Sequence, residues 1–381
     1  MKNKKLLKTI VCTLIFTMFL NITSYAADGK DSKEDKIVKV EYEDIEDLVL
    51  KKNLQIKVNE LSIDDMKDAL DEAEDAGDGI GELQDTIYEI SDGLDAYAAY
   101  PDLYPLAQAI QFSLELTSNS LGAQVPSNDD ADDQIRIAEL GYEQADQALV
   151  NTAKKMFVLY HQLDDSLNLM KENRKLLVSQ LDLAKYRLEY GLIAPTVLGD
   201  MKKSLLEFDN STTSLMHQKE ALILQFKDLI GLSMEDEIKF GLLPDADINY
   251  ILKIDLEEDL EKALKNSLSI KTKKVELKSA DSKMKKYQLQ IKESEISQSL
   301  NNQYQLLIEK LEALSLSESE LSLLNGKLFT EDIRYKMGQI SLMDFKTIEN
   351  KLLNQKNTVK TNTSNLLIEI ENYKAMLDGM I

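Results

Sequence analysis

The sequence predicts an all-α protein built from long antiparallel coiled-coil hairpins in an internal duplication. Long stretches carry apolar residues at seven-residue steps, the pattern of coiled-coil packing. One tight turn is written twice, 338 − 191 = 147 positions apart. Helix breakers are scarce: the 381 residues hold 5 Pro and 14 Gly, and none falls within 256–325.

The duplicated turn reads Arg187-Leu188-Glu189-Tyr190-Gly191-Leu192-Ile193-Ala194-Pro195-Thr196 and Arg334-Tyr335-Lys336-Met337-Gly338-Gln339-Ile340-Ser341-Leu342-Met343. Gly191 and Gly338 stand where a helix ends in a left-handed residue, a conformation Gly adopts without a Cβ penalty. Ile193 and Ile340 follow two residues later and can fold back on the last turn. The next helix then restarts at Pro195, whose fixed φ suits a first helical position, or at Ser341, whose hydroxyl can cap it. The same 147-residue offset carries Leu205 and Leu206 onto Leu352 and Leu353, and Phe226 onto Tyr373. Gly231 falls one residue short of the partner of Gly379.

In chain order, residues 1–26 read as a secretory signal: Lys2, Lys4, Lys5 and Lys8 precede the apolar run 9–20, and Ser24-Tyr25-Ala26 suits cleavage. The lone cysteine, Cys12, lies inside that signal, so the mature chain carries no disulfide or thiolate site. Losing four Lys takes the net charge from −22 to −22 − 4 = −26, which argues against nucleic acid and anionic lipid as partners. Beyond the signal there is no apolar run long enough for a membrane helix, so no direct bilayer span is expected. Residues 27–40 are charged and read as a flexible lead-in.

The first helical repeat is assigned to 41–243. Its opening helix starts near Tyr42 and runs through Ile45, Leu48, Val49, Leu54, Ile56, Leu61 and Met66. The run Asn53-Leu54-Gln55-Ile56-Lys57 is echoed by Asn266-Ser267-Leu268-Ser269-Ile270-Lys271, which opens the second, shortened repeat, 244–381. From Leu54 to Gly191 is 137 positions, from Leu268 to Gly338 only 70. The surplus is an extra middle segment, 67–134, read as helical. Within it, 110–125 alternates as a strand would, yet Leu106, Ile110 and Leu114 also keep helical spacing; helix is the reading, strand the alternative. Residues 127–133, rich in Asn and Asp, read as a loop.

After that loop, Leu149, Met156, Leu163, Met170, Leu177 and Ala184 step by seven along the descending helix. The return helix carries Met201, Phe208, Leu215, Leu222 and Leu229, and its counterpart Phe345, Leu352, Val359, Leu366 and Tyr373. Residues 231–249, with Gly241 and Pro244, read as a linker. The stretch 256–336, without Gly or Pro as far as Asn325, is either one helix or a hairpin folding back near 279–302, and the sequence leaves both open.

No catalytic constellation and no phosphate loop is written in the chain, so an enzyme is not expected and no cofactor is implied. His161 and His217 are isolated, and the acidic runs 71–78 and 129–133 lack the spacing of a calcium loop, so no metal site is assigned. Ser341 with Asp344 three residues on is a capping-box pattern.

The paired turns and flanking coiled coils resemble the TolC-like outer-membrane efflux proteins. The resemblance rests on 190–196 and 334–338 and is strongest over 145–231 and 295–379. It implies a homotrimer whose helices close into a tunnel, and a membrane-fusion adaptor of an efflux or ABC-type exporter docking on the hairpin tips. Here those tips are Gly191, Leu192, Ile193, Gly338, Gln339 and Ile340. It also implies a tunnel constriction at positions matching Tyr335 and Asp344. Further acidic positions of the family pattern fall on Thr347 and Val197, a departure. A larger departure concerns the barrel: family members insert two strands in each half, and the second half here has no room for them. Even with strands at 110–125 a trimer would have six, fewer than the eight of the smallest membrane barrels, and an open sheet cannot sit in lipid. The expectation is therefore a helical duct without a transmembrane β-barrel, exported to the cell envelope. The alternative is a secreted coiled-coil scaffold of the envelope without transport activity.

Overall fold

A computed structural model describes residues 37–76, 128–278 and 280–380. The stretch read as a signal, most of the lead-in, and the question of helix or strand at 110–125 lie outside the described residues. The described elements are β1 (Val38–Val40), α1 (Ile45–Lys52), α2 (Leu54–Ala76), α3 (Asn128–Glu189), α4 (Pro195–Leu229), β2 (Ile238–Phe240), α5 (Ile248–Ile251), α6 (Leu256–Asn266), α7 (Leu268–Glu276), α8 (Ser282–Lys336) and α9 (Leu342–Leu377).

Two hairpins dominate, α3 with α4 and α8 with α9. Helix α3 has 62 residues and α8 has 55, which at 1.5 Å per residue makes rods of roughly 90 and 80 Å. The seven-residue steps read from the sequence are the seams: Leu149, Met156, Leu222 and Leu229 are buried in the first hairpin, and Leu352, Leu366 and Tyr373 in the second. Across α8 the partner seam is Leu300, Leu307 and Leu314, each at most 3% exposed. Helix α9 also packs on α3 and joins the hairpins side by side.

The cores gather at the end opposite the turns. Around Phe157 and Phe226 the first cluster collects Val40, Ile45, Val49, Leu149 and Ile230, with Leu367 reaching in from α9. The second cluster surrounds Tyr373 with Ile251, Ala263, Ile270, Ile296 and Leu300. Tyr373 is fully buried and its hydroxyl donates to Asp259 Oδ2 at 2.8 Å, which satisfies the one polar atom its burial would strand.

Several expectations are corrected. The opening helix is not continuous from Tyr42 to Met66: it breaks at Asn53, whose Oδ1 accepts from the amides of Gln55 (2.8 Å) and Ile56 (3.3 Å) and so caps α2. Residues 128–133, read as loop, begin α3; acids in a first helical turn are favoured by the helix dipole. The end of the lead-in is not free, because β1 pairs in parallel with β2 from the supposed linker, Val38 with Ile238 and Val40 with Phe240. Val40 is fully buried and Phe240 packs among Phe157, Tyr160 and Phe226, so burial in the first core holds these three-residue strands. The stretch 256–336 is not one helix: it folds back between α7 and α8, at the near edge of 279–302, and Ile270 packs with Ile296 and Leu300 across that turn. It breaks at Ser267, whose Oγ accepts from Ile270 N at 3.1 Å, and again between α7 and α8, where Asp281 caps α8. Only 277–281 separate α7 from α8, so this half has no room for inserted strands. Among the described residues β1 and β2 are the only strands, and no described helix is long and apolar enough to cross a membrane.

Candidate functional site

The two turns close by the same geometry. At the first, Gly191 N donates to Leu188 O (2.9 Å) and Leu192 N to Arg187 O (2.8 Å); at the second, Gly338 N donates to Tyr335 O (2.9 Å) and Gln339 N to Arg334 O (2.8 Å). This crossed pair of bonds is the Schellman ending, which needs a left-handed residue, and both glycines have φ of 68°. Beyond the turns, Pro195 sits in the first turn of α4. Ser341 caps α9 through a complete capping box: its Oγ accepts from Asp344 N at 3.1 Å while Asp344 Oδ2 accepts from Ser341 N at 3.2 Å and from Ser341 Oγ at 2.7 Å. These bonds hold the Asp344 carboxyl below the usual carboxylate range.

The tips present both backbone and apolar surface. Leu192 is 70% exposed, with Tyr190, Met337 and Leu342 also exposed beside the two turns. Ile193 and Ile340 are half-buried, as expected of residues folded back on the preceding turn. Gln339 is exposed. Tyr335 lies flat on Phe345 across the second hairpin, with ring centroids 5.3 Å apart and planes 10° apart. Tyr335 and Asp344 thus lie on opposite arms of one hairpin, Tyr335 stacked and Asp344 engaged as a cap.

A polar seam runs between the hairpins. Asn173 bonds to Asn350, Gln162 Nε2 donates to Asn365 Oδ1 at 2.9 Å, and Asn151 Nδ2 to Asn372 Oδ1 at 3.4 Å, with Lys360 paired to Asp165. Within each hairpin apolar seams are supplemented by polar contacts such as Arg174 with Asp209 and Gln303 with Glu369; between the hairpins α3 and α9 carry amide pairs beside the apolar contact of Leu367. Such a seam is held by bonds that water can replace, so it resists separation less than an apolar one.

At the opposite end a second pair of glycines does related work. Gly231 and Gly379 close α4 and α9 with positive φ, 65° and 112°. A Cβ on Gly231 would lie 2.4 Å from Lys52 O, and one on Gly379 2.6 Å from Asn266 O. The breaks in the opening helices dock at these endings: Asn53 Nδ2 donates to Leu229 O (2.8 Å), and Asn266 Nδ2 to Leu377 O (2.7 Å). The sequence shows these glycines only as part of a spacing; the asparagine three or four residues before each repeated Ile (Asn53 before Ile56, Asn266 before Ile270) is the signal that pairs with them.

Neither histidine gathers metal ligands, and no group of three or more ligating side chains occurs among the described residues. His161 is half-buried against Phe157 and Tyr160, and burial pushes its pKa down. His217 is exposed and, contrary to its reading as isolated, has Glu220 3.2 Å away.

The sequence matches no family model, and no characterised protein resembles it by sequence. Solved structures do resemble it. CusC, described in connection with folding and transmembrane channel formation, superposes with a TM-score of 0.52 at 10% identity, over 94% of this chain and 96% of its own. The CmeC outer membrane channel of Campylobacter jejuni gives 0.51 at 10% identity, over 89% and 86%. The outer membrane protein VceC of Vibrio cholerae gives 0.51 at 9%, over 89% and 96%. The chain therefore has the fold of the TolC-like outer-membrane channels, with its two long helical hairpins side by side.

Proposed function

We propose that the protein is an exported helical duct component of an efflux or export system, assembling as a homotrimer and docking a membrane-fusion adaptor through its hairpin tips. The observation that carries this is the likeness to outer-membrane channels over about nine-tenths of each chain. Two features of the single chain support it. Large apolar residues stand exposed along the arms, among them Leu206, Leu316, Leu323 and Phe329, each at least 64% exposed. Exposed apolar side chains of this size favour cover by another copy. The tips add Tyr190, Leu192 and Met337, the surface an adaptor would grip. Transport through such a duct is passive: the tips part along the polar seam, and no chemistry is needed. Asp344 and Tyr335 would narrow the tunnel while also serving as cap and stacking partner.

A second reading, a secreted coiled-coil scaffold without transport activity, is favoured by the short α7–α8 connection, which leaves the second half no strands for a barrel. Affinity capture from the native envelope, comparing the unaltered chain with Leu192→Ala and Ile340→Ala, separates the two. The duct reading expects an adaptor to be recovered with the unaltered chain and lost with both variants. Equal recovery in all three removes tip docking.

A further inference from the structure

The molecule is strongly acidic, yet one stretch is markedly basic. Residues 271–292 hold eight Lys (Lys271, Lys273, Lys274, Lys278, Lys283, Lys285, Lys286 and Lys292) against two carboxylates, Glu276 and Asp281. This stretch is α7, the short connection and the first three turns of α8, at the end of the rod away from the tips. Glu276, Asp133 and Glu295 pair with Lys273, Lys278 and Lys292 at 2.8, 2.9 and 3.1 Å. For Lys271, Lys274, Lys283, Lys285 and Lys286 no carboxylate of the described residues lies within ion-pair distance.

Interleaved with these lysines are apolar side chains without cover. Met284, Tyr287 and Ile291 are 56%, 64% and 60% exposed, and their spacing of three and four residues sets them on one face of α8. The placement also works against the helix: α8 has no acid in its first turn, and cations there oppose the positive end of its dipole. Asp281 caps the first-turn amides at Lys283 N, but one carboxylate does not offset three lysines stacked against the dipole, so the lysines themselves gain from an external anion.

We propose that this basic, apolar end of the rod binds the surface of a bilayer containing anionic lipids. The lysines supply attraction to phosphate headgroups, and Met284, Tyr287 and Ile291 enter the interface, where tyrosine and apolar residues flanked by lysine are favoured. Contact is peripheral and needs no strands. The negative charge of the whole chain argues against such binding only if charge is averaged; within a Debye length of about 8 Å the local surplus decides. The competing occupant is internal: residues 77–127 contain eight carboxylates and no Lys or Arg.

The test is flotation of the full chain with vesicles of neutral phosphatidylcholine, alone or with about one-third phosphatidylglycerol. Binding is expected only with the anionic lipid and is weakened by salt. Lys283→Gln, Lys285→Gln and Lys286→Gln together lower partitioning about a hundredfold, at roughly fivefold for each lysine near the surface. Met284→Ser, Tyr287→Ser and Ile291→Ser together also reduce it, while circular dichroism and molecular mass stay unchanged. Equal binding to both vesicle types, no binding, or binding unmoved by either set overturns the proposal. Lysine acetylation read by mass spectrometry covers the internal alternative. Lys283, Lys285 and Lys286 should react freely without vesicles and be protected with anionic ones, and protection already present without vesicles overturns it too.

Discussion

Four glycines with positive φ end the four long arms, but they are not equivalent residues. Gly191 and Gly338 have open space where a Cβ would stand, whereas Gly231 and Gly379 press on backbone carbonyls of the opposite helix break. Gly191→Ala therefore costs only the left-handed penalty, about 1 kcal/mol. Gly231→Ala adds displacement of the Lys52 carbonyl and should cost about 3 kcal/mol or more. Urea denaturation of the two variants checks the ranking, and equal midpoints would contradict it. Asp146 offers a second test at this scale. Its Oδ1 accepts from the buried Asn59 at 2.9 Å, and burial raises its pKa to about 6 from an ordinary 3.8. A carboxyl raised on folding favours the folded state while protonated. Its contribution is complete below about pH 4 and is lost as pH rises through about 6. Asp146→Asn should flatten that part of the stability–pH curve. It should also raise stability at pH 7 by about 1 to 2 kcal/mol once solvent screening is allowed for.

At the scale of elements, the capping box of Ser341 and Asp344 sets where α9 begins. Ser341→Ala should cost about 1 kcal/mol and raise hydrogen exchange in the first turn of α9, leaving the α3–α4 hairpin unchanged. The elements most legible in the sequence are those governed by a single repeating rule. Leu149, Met156, Leu222, Leu366 and Tyr373 announce the seams by their seven-residue spacing, and Gly191 and Gly338 announce the turns. What stays hidden depends on contacts across long separations. Nothing local to Val38–Val40 shows that Ile238–Phe240, two hundred residues on, will pair with it over Phe157. Asn53 and Ser267 read as ordinary helix residues until the endings at Gly231 and Gly379 are brought against them. The tip residues are legible as a turn, and Asp344 is legible as the acid of a capping box, which is the role its bonds to Ser341 give it. The lysines of 271–292 were hidden by a net charge summed over the whole chain.

At the scale of the whole molecule, the arms outrun their cores. The buried clusters occupy one end, and farther along each hairpin contributes exposed Leu, Phe and Tyr that one copy cannot cover. Replacing Leu316 and Leu323 by Glu should leave helicity intact while weakening any assembly that buries them, since each would carry a charge into the contact. The central claim, that these hairpins are walls of a duct, is tested most directly by the mass of the particle in solution. Sedimentation equilibrium of the chain should give three times the monomer mass, and the Leu316→Glu, Leu323→Glu variant one. A monomer at every concentration would contradict the account.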